Sequence, residues 1–96
     1  MATFISLVSF TDQGIRSIKE SPKRADAFKA MAKKLGVTVK EIHWTLGHYD
    51  LVIVLEGDDE AVTSALLKVG SLGNVRSETL RAFSAAEMGR IVGNIP

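Results

Sequence analysis

Hydrophobic and polar positions divide the chain into four strand-like runs, two amphipathic helical stretches and a short helical tail. From Phe4 it reads Phe-Ile-Ser-Leu-Val-Ser-Phe, apolar on both parities, the pattern of a strand buried on both faces. Thr11-Asp12-Gln13-Gly14 breaks that run with turn chemistry, and Ile15 and Ile18 predict one irregular or helical turn. Ser21-Pro22 predicts a helix start, with serine as cap and proline at the first helical position. Phe28, Met31, Ala32 and Leu35 then recur at i, i+3, i+4 and i+7 as one apolar stripe, and Gly36 closes it. Val37 to Leu46 reads as a strand interrupted by Lys40, Glu41 and His43. Gly47-His48 predicts a two-residue hairpin loop, glycine taking the first position of a type II′ turn, before an apolar strand from Tyr49 to Glu56. Gly57-Asp58-Asp59-Glu60 supplies a turn and an acidic first helical turn. Val62, Ala65, Leu66 and Val69 form the second stripe, closed by Gly70, and Gly70 to Asn74 reads as a loop. Val75 to Phe83 is a last strand carrying Arg76, Glu78 and Arg81. Ser84 and Glu87 have capping-box spacing and open a tail helix with Met88, Ile91 and Val92 on one side.

The order β-α-β-β-α-β is that of a ferredoxin-like α+β fold. It predicts one domain over residues 1–96, a four-stranded antiparallel sheet in the order 4-1-3-2, two helices on one face and a short C-terminal helix. The first and third strands are apolar on both faces and belong in the centre; the second and fourth carry the charges that edge strands need. A two-residue loop would pair Leu46 with Tyr49, Trp44 with Leu51 and Ile42 with Ile53 on one apolar face, beneath the helices. The opposite face would pair Thr45 with Asp50, His43 with Val52 and Glu41 with Val54, unless a bulge intervenes. Two helices cover one side of such a sheet, so the apolar centre of the other side predicts an interface, filled most simply by a second copy related by a two-fold axis. The tail helix would extend that homodimer into a larger assembly.

Composition narrows the function. A net charge of +1, from 12 Lys+Arg against 11 Asp+Glu, gives no global field toward nucleic acid or membrane. The absence of cysteine removes disulfides, thiolate nucleophiles and Cys-based metal sites. No apolar run reaches the roughly 18 residues of a membrane span. With no signal peptide in Met1-Ala2-Thr3-Phe4, a reduced, cytoplasmic location is expected.

Four blocks carry a resemblance: Thr11-Asp12-Gln13-Gly14-Ile15, Ser21-Pro22-Lys23-Arg24, Gly47-His48-Tyr49-Asp50-Leu51, and Gly73-Asn74-Val75-Arg76 with Thr79-Leu80-Arg81-Ala82-Phe83. In this order, over nearly the whole chain, they resemble the GYD domain family of small bacterial and archaeal proteins. That family is similar to the dimeric α/β-barrel proteins, which include cofactor-independent monooxygenases, muconolactone-isomerase-like enzymes and ligand-sensing domains of transcription regulators. The resemblance implies fold and assembly; it brings no established catalytic residues.

Candidate chemistry lies mainly on the hairpin. His43 and Asp50, on one face of adjacent strands and offset by one pair, are the minimum kit for general acid–base work, set against a polar interface rim. Glu41 adds a carboxylate. Tyr49 and Trp44 are candidate ligand contacts beneath the helices near Phe28, against a purely core role. Gln13 and Arg81 are further candidate ligand contacts, and Lys23 with Arg24 a candidate anion site at a helix start. Two histidines with scattered carboxylates make no metal signature, and no cofactor loop is present. RNA-reading sheets need exposed aromatics on the central strands, which the third strand lacks. The expected function is a homo-oligomeric small-molecule-binding or sensing domain. The alternative is a cofactor-independent enzyme, monooxygenase- or isomerase-like, using His43 and Asp50.

Overall fold

Strand β1 (Ala2–Phe10) runs through the middle of a four-stranded antiparallel sheet. It pairs with β3 (Leu51–Gly57) on one side and β4 (Val75–Ala82) on the other, and β2 (Thr38–Trp44) pairs with the outer side of β3. The order is therefore β2–β3–β1–β4. Helix α1 (Asp12–Arg16), a 3-10 turn (Ile18–Glu20) and helix α2 (Ser21–Lys34) link β1 to β2. Helix α3 (Asp59–Ser71) links β3 to β4, and α4 (Ala85–Gly93) follows β4. The computed structural model describes residues 1–96.

One face of the sheet meets α2 and α3. Val8, Leu51, Ile53 and Leu55 pack there against Phe28 and Ala32 of α2 and Val62 and Ala65 of α3. Ser6 is fully buried on this face, and its hydroxyl is satisfied by Thr79 Oγ1 at 3.1 Å. Alternate residues point the other way: Ile5 and Leu7 of β1, Val52 and Val54 of β3, and Leu80 of β4 share the face that no helix covers. Leu35, at the end of the predicted stripe, is the C-cap of α2 and lies largely outside.

The hairpin differs from the two-residue loop expected of Gly47-His48. Its strands end at Trp44 and resume at Leu51, and the loop between is closed by the Thr45 N–H donating to the Asp50 carbonyl at 2.8 Å. Gly47 does hold a positive φ of 120°. The pairs Trp44–Leu51 and Ile42–Ile53 form as the register required; the Leu46–Tyr49 core pair does not, and Leu46 is fully exposed at the tip. A bulge between Val39 and Glu41 makes Lys40 the extra residue. It turns Val39 into the core opposite Leu55, where strict alternation from Ile42 would have sent Lys40. Lys40 instead reaches Glu56 at 3.9 Å.

Ser21 is not the cap of α2. Glu20 holds that position without a side-chain bond, and the Ser21 hydroxyl accepts the Trp44 indole N–H at 3.0 Å. Helix α3 runs one residue past Gly70, to Ser71. In α4 the capping box forms in both directions, Glu87 N–H to Ser84 Oγ at 3.1 Å and Ser84 N–H to Glu87 Oε1 at 2.9 Å. No residue of α4 is buried.

Candidate functional site

The motif residues converge on the end of the sheet where β1 stops and β3 begins. Asp50 commits its backbone N–H, its carbonyl and one carboxylate oxygen there. Its N–H donates to the Val8 carbonyl at 2.8 Å, its Oδ2 accepts the Phe10 N–H at 2.8 Å, and its carbonyl accepts from Thr45. The carboxylate thus extends the β1–β3 ladder one step beyond the point where strand β3 can supply a backbone acceptor. Tyr49 reaches across β1 and donates its hydroxyl to Glu78 Oε1 of β4 at 2.9 Å. That bond, with the negative charge of Glu78, holds the Tyr49 phenol above the ordinary tyrosine range.

The first and last motif blocks lock together beside this staple. Thr11 donates its N–H to the Asn74 carbonyl at 3.1 Å and its hydroxyl to the Gly73 carbonyl at 2.6 Å, while its Oγ1 caps α1 by accepting the Gly14 N–H. Gln13 Nε2 donates to the Leu72 carbonyl at 3.1 Å and to Asn74 Oδ1 at 3.0 Å. Gly14 is required by this approach, because a Cβ there would collide with the Asn74 carbonyl oxygen. Arg24 closes the other side: its guanidinium donates to the Ser17 carbonyl at 3.0 Å and the Gly14 carbonyl at 3.1 Å, and lies 6.0 Å from the Phe10 ring centroid.

Several expected placements change accordingly. Tyr49 does not sit beneath the helices with Trp44 and Phe28; its partner Glu78 pairs with Leu7 and belongs to the open face. Trp44 stays on the helix side but is half-exposed, anchored by its bond to Ser21. No hydrogen bond or ion pair joins His43 to Asp50: the imidazole Nε2 lies 3.2 Å from Glu41 Oε1, two residues along the same strand, both groups open to solvent. Arg24 does not face an open helix N-terminus, since it binds the carbonyls at the end of α1, and Lys23 pairs with Glu20 at 4.0 Å. Arg81 stacks on Phe83, 4.4 Å from the ring centroid, and hydrogen-bonds the carbonyls of Thr3 and Ala82. Gln13 and Arg81 are thus engaged with the protein's own backbone.

Two hollows lie behind these residues. Between the sheet and α2, Val8, Phe10, Phe28, Leu51 and Val75 enclose about 50 Å³, well below the roughly 300–1,000 Å³ of ligand sites. The adjoining groove between α2 and α3 measures about 300 Å³. Its lining escaped the sequence reading because the stripe periodicity of Phe28, Met31 and Val69 is that of any helix packing on a sheet. No three His, Cys, Asp or Glu side chains come together as a metal-binding group, and no helix is long and apolar enough to cross a membrane.

Comparison with known proteins bears on the whole chain. The GYD domain model matches residues 4–92. A Thermus thermophilus protein named glutamine synthetase and cystathionine beta-lyase binding protein is 36% identical over 90 residues, covering 92% of this chain and 95% of that one. Among solved structures, a hypothetical protein from Pyrococcus horikoshii has a TM-score of 0.61 at 20% identity, over 88% of this chain and 92% of that one. A feast or famine regulatory protein from M. tuberculosis, complexed with L-methionine, has a TM-score of 0.56 at 14% identity, over 88% of this chain and 52% of that one. The structural likenesses extend the ferredoxin-like α+β architecture to these proteins. The match over residues 4–92, joined to the Thermus relationship, means that this chain belongs to the GYD domain family.

Proposed function

We propose that this chain is a homo-oligomeric small-molecule-binding or sensing module, cytoplasmic, whose copies pair through the open sheet face. The observation that carries the assembly is the stripe Ile5, Leu7, Val52, Val54 and Leu80 on the face opposite α2 and α3. An apolar sheet centre of this kind is what a partner sheet covers. A binding role rather than a catalytic one is supported by the name of the Thermus relative, which describes a protein that binds two enzymes, and by the methionine complex of the fold neighbour. Asp50 Oδ2 is engaged by the Phe10 N–H and the His43 imidazole by Glu41, which also supports the binding reading.

Light scattering at micromolar concentration is expected to return at least twice the 10.4 kDa chain mass, and Val54→Asp to return a smaller species; a monomeric wild type rejects the assembly. Thermal unfolding against a panel of small acids, amines and aromatic compounds tests the ligand. A compound at a hundred times its Kd stabilises by about 2.7 kcal/mol, and a panel without effect rejects small-molecule binding. The enzyme alternative rests on His43 and Asp50, and any turnover that survives both His43→Ala and Asp50→Asn disposes of the pair.

A further inference from the structure

The groove between α2 and α3 shares Arg24, Phe28, Val69 and Val75 with the hollow beneath it and adds a second cation, Lys68. Phe28 and Met31 of α2 face Val69 of α3 and Val75 of β4 across about 300 Å³, and Arg24 and Lys68 stand among the lining residues. No aspartate or glutamate lines it, so two positive charges are gathered on a protein whose net charge is +1. Arg24 is held in place by its bonds to Ser17 and Gly14, which leave guanidinium N–H donors uncommitted. Lys68 makes no ion pair, and the α3–β4 loop that ends the groove is fixed by Gln13. The volume reaches the lower bound of small-molecule sites, and the apolar floor includes a methionine, which adapts to irregular shapes.

We propose that this groove binds a small amphipathic carboxylate, with the hydrocarbon part on Phe28, Met31, Val69 and Val75 and the carboxylate at Arg24 and Lys68. The inference rests on the small-molecule reading above and gives it a place and a ligand class. Charge complementarity selects the class. A carboxylate gains two cations without meeting an acid, an amine meets like charge, and an α-amino acid brings an ammonium for which the lining offers no anionic partner.

The full chain, labelled with ¹⁵N, is titrated with octanoate, octylamine and 2-aminooctanoate, three probes of one chain length. Octanoate is expected to shift the amides of Phe28, Met31, Val69 and Leu72 saturably; octylamine is expected to leave them unmoved and 2-aminooctanoate to bind about tenfold more weakly. Lys68→Glu should weaken octanoate about three- to fivefold, the scale of an exposed charge contact, and Lys68→Arg should keep it within about twofold. Ala27→Trp, at an exposed position of the same lining, should fill the groove and abolish the shifts. Octylamine binding as well as octanoate, or octanoate shifts that survive Ala27→Trp, overturns the proposal. Saturable octanoate shifts elsewhere on the chain refute the groove but leave small-molecule binding standing. No octanoate shift at all overturns the carboxylate class, and the broader reading then depends on the thermal panel.

Discussion

Asp50 shows how a loop aspartate becomes structural. Its carboxylate is the only acceptor for a partly buried backbone N–H, that of Phe10, across 40 positions of chain. Asp50→Ala should therefore lower unfolding free energy in urea by about 1–3 kcal/mol, and Asp50→Asn by less, since an amide oxygen still accepts. Gly14→Ala drives a Cβ into the Asn74 carbonyl oxygen, and a loss of about 2 kcal/mol or more is expected in the same measurement. Tyr49 adds a pH dependence. Its phenol is raised because the protonated form donates to Glu78, so its contribution is complete below the ordinary value of 10.0 and is lost as pH rises through the raised one. The stability difference between wild type and Tyr49→Phe should vanish across that alkaline range; a difference unchanged beyond it argues against the bond. Residue types at these turns were legible in sequence, but their partners were not. Gly14 with Asn74, Tyr49 with Glu78 and Ser21 with Trp44 meet only through the tertiary fold, and no local pattern encodes which distant acceptor a side chain finds.

At the scale of elements, the readings that held were those fixed by local chemistry. The capping box of α4 formed as Ser84 and Glu87 required, since both partners lie within one turn. The hairpin register held where cross-strand burial decides it and failed at the tip, where Asp50 and Tyr49 are drawn toward β1 and β4. The bulge at Lys40 was not legible, because Val39 and Lys40 exchange faces only once Leu55 and Glu56 are opposite them. Helix α4 carries its own test. Glu87 is held below the ordinary carboxylate value by its hydrogen bonds to Ser84, so the cap it makes is complete above 4.5 and is lost as pH falls through the lowered value. The protection of amides 85–93 relative to their intrinsic exchange rates should fall in that acid range, and Ser84→Ala, which costs a helix about 1 kcal/mol, should produce the same fraying at neutral pH.

The whole molecule is a plate rather than a sphere. Its extents are 52 × 31 × 18 Å and its radius of gyration is 14.6 Å, against about 12–13 Å for a compact chain of this length. Only 13 of 96 residues are buried, so a single layer of helices on a single sheet face leaves much of the available apolar surface unused. Helix α4 makes the point most sharply. A free helix shorter than about 12–15 residues is marginal in water, yet α4 has nine residues, none of them buried, and shows Met88, Ile91 and Val92 on its surface. Both features are accounted for if the sheet face and the tail helix are contact surfaces between copies, and the two contributions separate by experiment. If the sheet face pairs the chains, the midpoint of thermal unfolding should rise with protein concentration, and Val54→Asp should remove that dependence. If α4 then joins dimers, truncation after Phe83 should reduce the assembly from its larger size to the dimer while leaving the concentration dependence intact. An assembly unchanged by the truncation assigns the larger contact elsewhere, and the exposed apolar side of α4 would then need a different kind of partner.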